Sequence, residues 1–379
     1  MPADHAPAPG TRTIEALPPV PEPILAALAE AGAPFDLADA VPEPQDAPPL
    51  RWGIIGAGGI AGTFYHDAQA WSSARVAAVA SRDRDRARAF IDAHPLDGIE
   101  SARALGSYEE LVADPEVEAV YVATPHAFHA EHARLALEAG KPVLVEKAFT
   151  RNAVEARAVL DLARERGTFA MEAMWTRFLP GQVLARHLLA SGLIGEPRLV
   201  RADHYQPISH VPRLARPELA GGALLDLGVY PVSWIHSLLG APERVDAVGR
   251  LTDAGVDLDE VITLSYPRAT GVAASGMDAR SATSGEVDAT AGRISLAEQF
   301  YRPAPMRVVV DGEGWQEPRV DVVWDSTLPG GFQLQAAEVA RCVAAGRTES
   351  ATVPWSTTLE VMEILDAVRA AVGVRYPGE

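Results

Sequence analysis

Two groups of residues in this chain could bind or transform a ligand. The first is Gly56-x-Gly58-x-x-Ala61, inside the run Arg51–Gly62. A glycine after an apolar strand allows a tight turn, and a second lets the backbone approach a pyrophosphate. A small third residue lets the following helix pack closely on its strand. Gly59 and Ile60 open that helix, so its unpaired N–H groups and positive end would face the phosphates. The second group is Lys147, Asp226 and Tyr230. Lys147 ends an apolar run, and a lysine at a buried strand end needs a partner or a task. One reading is a solvent-facing pair with Glu146. The functional reading sets Glu146 and Lys147 beside a nicotinamide, with the amine hydrogen-bonded to the reacting oxygen. If 226–230 is helical, Asp226 and Tyr230 share a face, where a carboxylate and a phenol suit acid–base work.

Periodicity supplies the scaffold for these residues. Strand, glycine turn, the helix Ile60–Trp71 and a second strand, Arg75–Ala80, have βαβ spacing. The residues after the second strand decide the cofactor. An NAD site places Asp or Glu there for the ribose hydroxyls. Here the chain reads Ser81-Arg82, with Arg86 close behind, and a hydroxyl and a guanidinium suit a 2′-phosphate. NADP is therefore expected over NAD. Asp83 is the rival signal, and Arg84 and Arg86 also fit a solvated helix start. Further strands are expected at 117–123, 142–145 and 168–171, alternating with helices. Ligands of an open parallel sheet lie beyond its C-terminal strand ends, so Thr124, Pro125, His126 and His129 are expected near the cofactor. His126, His129 and His132 at i, i+3, i+6 lack a further ligand, and no metal site is expected.

After residue 173 the pattern changes. A helix over 181–191, a strand over 198–204 and a loop over 205–220 lead to the Asp226–Tyr230 segment. Short β-branched runs come next at 244–251, 260–266, 270–277, 286–291, 306–310 and 319–324, before two closing helices. Consecutive strands without helices predict an antiparallel sheet. The fold expected is an α/β Rossmann domain with a parallel sheet over 50–172, then an α+β domain over 173–379. The second domain carries a large, open, mainly antiparallel sheet that binds substrate and serves as a dimer surface. Residues 1–49 hold 12 of the 30 prolines. They predict a disordered tail, or an arm over a neighbouring subunit or the cofactor, with one short amphipathic helix within 22–31.

Bulk composition narrows the function class. The 379 residues carry 51 acidic and 33 basic side chains, a net charge of −18, which disfavours nucleic acid and anionic membranes as partners. Cys342 is the only cysteine, so the fold needs no disulfide. Neither a membrane span nor a signal peptide is read from the sequence, and a cytoplasmic protein is expected.

Several stretches together resemble the glucose–fructose oxidoreductase/inositol dehydrogenase/MocA family over about residues 50–375. They are Gly56-Ala57-Gly58-Gly59-Ile60-Ala61, Ala123-Thr124-Pro125-His126, Val145-Glu146-Lys147 and Asp226-x-x-x-Tyr230. The segments 171–178, 210–213 and 221–230 are most similar to its dihydrodiol dehydrogenase and NADP-dependent D-xylose dehydrogenase branch. The resemblance implies hydride exchange between NADP and a CH–OH group of a sugar or cyclic diol. It implies Lys147 as catalytic lysine, Tyr230 as acid–base tyrosine, Asp226 as the helix carboxylate and Arg82 as the 2′-phosphate contact, assisted by Arg86. Trp175, Arg177 and His210 would line the substrate pocket with Asp226 and Tyr230, and the polyol-binding protein would be a homodimer. Two alternatives stay open: a silent NADP-binding sensor, and an enzyme of the glucose–fructose type that retains its cofactor. The family usually has proline after the lysine. This chain has Ala148, which disfavours the cis bond often found there.

Overall fold

The computed structural model describes residues 19–313 and 317–379. Six strands form a parallel sheet: β1 Arg51–Ile55, β2 Arg75–Ala80, β3 Arg103–Leu105, β4 Ala119–Val122, β5 Val143–Val145 and β6 Ala170–Glu172, in the order β3-β2-β1-β4-β5-β6. Helices cover both faces. Ile54, Ile55, Val120, Val122 and Leu144 are accordingly fully buried, and the strands read as continuous apolar runs. The order reverses between β1 and β4, so their C-terminal ends open a crevice at the switch point. Phe64 of the helix Gly59–Trp71 stacks on Tyr121 of β4 with centroids 4.0 Å apart, which fixes the helix behind the glycine turn.

Eight strands form the second sheet: β7 Pro197–Tyr205, β8 Arg244–Leu251, β9 Asp257–Ser265, β10 Thr270–Gly276, β11 Gly285–Ala289, β12 Gly292–Leu296, β13 Met306–Asp311 and β14 Pro318–Trp324. Their order is β14-β13-β12-β11-β7-β10-β9-β8, antiparallel except for the β7–β10 pair. The sheet is thus the one expected, with one strand more. The run over 286–291 ends in a turn, and Gly292 starts β12, which returns antiparallel to β11. One face of the sheet carries the helix Val229–Leu239. The helix Trp355–Val372 joins the two halves. Asp366 accepts from the Ala153 N–H at 2.8 Å, and Trp355 Nε1 donates to the Ala170 carbonyl at 2.9 Å.

Residues 19–49 of the N-terminal extension pack on the body of the chain, the arm rather than the tail of the two expectations. Residues 1–18 of that extension lie outside the described residues. The helix Glu22–Glu30 buries Ile24 and Leu28, one turn apart. Arg319 of β14 pairs with Glu30 at 3.3 Å, and Arg341 donates to the Glu43 carbonyl at 2.6 Å. The segment therefore lies on its own chain. A short apolar stripe and borrowed backbone carbonyls suffice to order a proline-rich stretch once a body is there to receive it. Among the described residues no helix is long and apolar enough to cross a membrane.

Candidate active site

The glycine turn sits where the crevice opens. Gly56 has φ 108°, and a Cβ there would stand 2.7 Å from the Ala123 carbonyl, so only glycine fits. Its N–H donates to the Ala80 carbonyl at 3.0 Å. Gly58 and Gly59 are exposed, no side chain caps the helix they begin, and nothing lies within 4 Å of a Cβ built on either. That open space before free N–H groups is the shape a pyrophosphate needs. Ile60 is half-buried, and Ala61 is fully buried against the sheet.

At the end of β2, Ser81 is buried and Arg82 exposed. Asp83 is engaged: its Oδ1 accepts from the Asp85 N–H at 2.9 Å and caps the helix Arg84–Asp92. Arg84 is tied to Glu110 at 3.1 Å. The side chains of Arg82 and Arg86 have no hydrogen bond or ion pair among the described residues, and both act on the half-buried Tyr108 hydroxyl. The acidic rival is thus occupied and two guanidinium groups are available.

Beyond β4, Thr124 Oγ1 lies 3.0 Å from His132 Nδ1, and Pro125 precedes a short turn of 3₁₀ helix, His126–Phe128. His126 Nδ1 donates to the Ala220 carbonyl at 3.2 Å, and burial pushes its imidazole down to about 3. His129 does not fit the expected cofactor contact. Its ring is 1% exposed, with Nε2 2.7 Å from the Thr124 carbonyl and Nδ1 2.9 Å from the Ala148 carbonyl. Burial lowers its pKa to about 4 against the pull of those carbonyls, so the neutral ring donates to one of them, and both nitrogens face the protein. His129 braces the loops on either side of the crevice. Nor is the Lys147–Ala148 bond trans, as alanine led one to expect. It is cis, in a turn held by the Ala148 carbonyl against His129 and by the Phe149 N–H donating to Glu172 Oε1 at 3.1 Å.

Lys147 is 9% exposed, which disposes of the solvent-facing pair with Glu146. Its Nζ donates to the Asp226 carbonyl at 2.7 Å, lies 3.6 Å from Asp226 Oδ1 and stands 4.9 Å from the centre of the Tyr230 ring. Burial disfavours the ammonium, but Tyr230, Asp226 and Glu146 together outweigh it and hold its pKa above the ordinary lysine value. Asp226 is buried too. Desolvation opposes its charge, yet Lys147, Arg213 and His126 hold the carboxyl well below the usual range. Glu146 is buried beneath, accepting from the Tyr121 hydroxyl, and burial raises its pKa to about 7. Glu146 therefore presents no exposed carboxylate to a cofactor.

Asp226 and Tyr230 reach Lys147 through a π turn, Leu224–Gly228, followed by the helix Val229–Leu239, rather than through one α-helical face. The Tyr230 hydroxyl accepts from Trp175 Nε1 at 3.3 Å, and Trp175 stacks on Phe332 with centroids 4.7 Å apart. Burial raises the phenol's pKa and outweighs the opposing pull of Lys147.

One expected pocket residue is committed elsewhere. Arg177 spends its guanidinium on Ser233 Oγ at 3.0 Å, the Ser233 carbonyl at 3.2 Å and His236 Nδ1 at 3.2 Å, bracing the helix that carries Tyr230. His210 is exposed on a turn, with no partner among the described residues. Three residues were missed. Arg213 donates to Asp226 Oδ1 at 2.9 Å, and its place three residues after His210 was the only signal. His204 and Tyr301 stack at 4.3 Å beside Tyr230, whose ring lies 5.3 and 5.1 Å from theirs. Among the described residues no group of three His, Cys, Asp or Glu side chains is arranged to hold a metal ion.

A glycine cradle at a switch point, with a buried lysine two strands along at the same edge of the parallel sheet, is an arrangement found in known proteins. Residues 50–174 match the family model described as an oxidoreductase family with NAD-binding Rossmann fold, and residues 183–295 match the GFO/IDH/MocA C-terminal domain. The chain belongs to the GFO/IDH/MocA oxidoreductase family. The human trans-1,2-dihydrobenzene-1,2-diol dehydrogenase is 37% identical over 335 residues, 86% of this chain and 98% of its own. The NADP(+) D-xylose 1-dehydrogenase of Hypocrea jecorina is 36% identical over 367 residues, 86% of this chain and 93% of its own. Among solved structures, the 3-ketoreductase KijD10 from Actinomadura kijaniata, in complex with NADP and TDP-benzene, superposes with a TM-score of 0.76 at 28% identity. That match covers 86% of this chain and 98% of the other. Membership makes the chain an oxidoreductase with a Rossmann NAD(P)-binding domain. The matched regions begin at residue 50, so the N-terminal extension is outside them.

Proposed function

We propose that this chain is an NADP-dependent dehydrogenase acting reversibly on a CH–OH group of a sugar or cyclic diol. The observation that carries the proposal is the Lys147 ammonium, buried between Asp226 and Tyr230 at the end of β5, on the edge of the parallel sheet that also carries the glycine cradle. The cradle fits the cofactor: Gly58 and Gly59 leave space before free N–H groups, and Arg82 and Arg86 are uncommitted cations at the 2′-phosphate position. Relatives that use NADP support the choice of cofactor. When bound, the nicotinamide supplies or accepts the hydride. Residues 50–172 hold the nucleotide, and 173–379 shape the substrate site.

The protein's own groups handle the proton. Tyr230 accepts from Trp175, and no acceptor among the described residues takes its own proton, so that proton is free for a substrate oxygen. Lys147, kept cationic by Asp226, stabilises the phenolate that remains. Arg213 and the Lys147 ammonium hold Asp226 ionised, and the carboxylate keeps Lys147 in place. With both pKa values raised, the resting site already contains the proton that reduction needs, while oxidation must first release it. We also propose a cytoplasmic homodimer joined through the open sheet face, where Val248 and Val261 are cross-strand neighbours, 72% and 44% exposed.

The test is the ultraviolet absorbance of reduced nicotinamide with purified protein and a panel of sugars and diols. Hydride transfer to at least one member is expected, with NADPH preferred over NADH. No absorbance change across the panel, despite measured cofactor binding, would favour the silent sensor.

A further inference from the structure

A cavity lies beside the proton-handling residues, reaching them through Tyr301. It has a volume of about 560 Å³ and is lined by Gln206, Arg280, Glu298, Gln299 and Tyr301 among others, at the end of the eight-stranded sheet. That is within the roughly 300–1,000 Å³ of small-molecule sites. It shares a wall with the catalytic centre. Gln206 Nε2 donates to Tyr301 Oη at 2.9 Å and lies 2.8 Å from His204 Nε2, and the same two rings pack 5.1 and 5.3 Å from that of Tyr230. Reacting site and outer cavity are thus one aromatic layer apart.

The cavity is built rather than incidental. Four non-glycine residues among the described residues have positive φ. Three of them, Thr283, Glu298 and Gln299, each at 55°, line this cavity. Side chains with a Cβ persist in that conformation only where surrounding structure imposes it, and such residues cluster at ligand clamps. The imposing structure is visible. The Asp203 carboxylate accepts from the Thr283 N–H at 3.0 Å, the Phe300 N–H donates to the Thr283 carbonyl at 2.9 Å, and Gln182 Nε2 donates to the Phe300 carbonyl at 3.1 Å. Meanwhile the side chains of Arg280, Glu298 and Gln299 have no hydrogen-bond partner among the described residues.

The lining chemistry selects a ligand. One cation, one anion and two carboxamides suit a neutral ring with several hydroxyls, each able to give and accept. An anionic group would meet Glu298 as well as Arg280. We propose that this cavity is a distal subsite for a second polyhydroxylated ring, so that the substrate is a sugar carrying a glycosidic substituent. The inference rests on the assignment of Lys147 and Tyr230 as the reacting centre.

The test compares xylose with xylobiose as substrates, and their binding to NADP-loaded protein by calorimetry. At least tenfold higher kcat/KM, and tenfold tighter binding, is expected for the disaccharide. Arg280→Ala and Gln299→Ala should each remove most of that advantage and leave xylose unchanged. Equal values for the two sugars, or variants that weaken both equally, overturn the subsite while leaving the dehydrogenase reading intact. If neither sugar is turned over, calorimetry still decides. Disaccharide binding lost in Arg280→Ala supports the subsite without the reaction, and no preference in binding overturns it.

Discussion

The two halves of the site are built on opposite rules. The cofactor mouth is made of residues close together in sequence, 56–61 and 81–86, and its working groups are exposed and unpaired. The proton pocket draws Lys147, Arg213, Asp226 and Tyr230 from distant stretches and buries most of their atoms, each paired with another. Solvation explains the difference. Backbone N–H groups and guanidinium ions at a surface can be held by water until a phosphate replaces it. A buried ammonium or carboxylate has no water to fall back on and must be neutralised within the fold. Changes at the mouth should therefore register in cofactor affinity, and changes in the pocket in turnover.

Lys147→Ala is the largest expected break. It should cut kcat at least about a hundredfold, the usual scale for loss of a proton-handling group, while NADP binding by fluorescence titration stays within about threefold. Near-normal turnover would remove Lys147 from the mechanism; lost cofactor binding would erase the distinction between mouth and pocket. Tyr230→Phe keeps the ring against His204 and Tyr301 and removes only the hydroxyl. Its kcat should fall by about ten- to a hundredfold. Because burial raises the phenol's pKa, wild-type oxidation should climb as pH rises above neutrality while reduction stays flat. The climb should vanish in the variant, and an unchanged profile would contradict the proton role. At the mouth, Arg82→Ala should raise the KM for NADPH about tenfold, the lower end of a charge-assisted hydrogen bond, with kcat and the NADH KM little changed. An equal effect on both cofactors would mean that Arg82 does not meet the 2′-phosphate.

The same contrast decides what was legible in the sequence. Gly56, Gly58 and Ala61 announce a turn because a contiguous stretch builds it, and the βαβ spacing carries the parallel sheet with it. Lys147 stood out because an amine at the end of an apolar run demands an explanation. Arg213, His204 and Tyr301 did not, since their neighbours are set by sheet register and loop packing: Gln206 meets Tyr301 across 95 residues of chain. Arg177 shows the converse error. The family resemblance implied a substrate contact for it, but which acceptor an arginine finds is decided by the helix packed on it, and here Ser233 and His236 take it. The raised pKa of Tyr230 was not legible for a related reason. A neighbouring ammonium can be inferred from sequence, whereas the depth of burial that overrides it cannot. The extension obeys the same logic, because its order depends on β14 and the helix Phe332–Ala344, which its own composition does not reveal.

The smallest expected effect tests the pairing rule most finely. Arg213 is about half-exposed, and it holds a carboxylate that Lys147 also holds. Arg213→Ala should therefore cost only a few-fold in kcat at neutral pH. Its signature lies in acid. Burial favours the neutral carboxyl, and Arg213 is one of the charges holding Asp226 below the usual range. Removing it lets the Asp226 pKa rise. A carboxylate needed in its ionised form then fails at a higher pH, so the acid limb of kcat/KM should move upward in the variant while the alkaline limb stays in place. Arg213→Lys keeps a cation without the fork geometry and should restore much of the limb. If the acid limb stays where the wild type has it, Lys147 alone neutralises Asp226, and the second cation belongs to the loop rather than to the reaction.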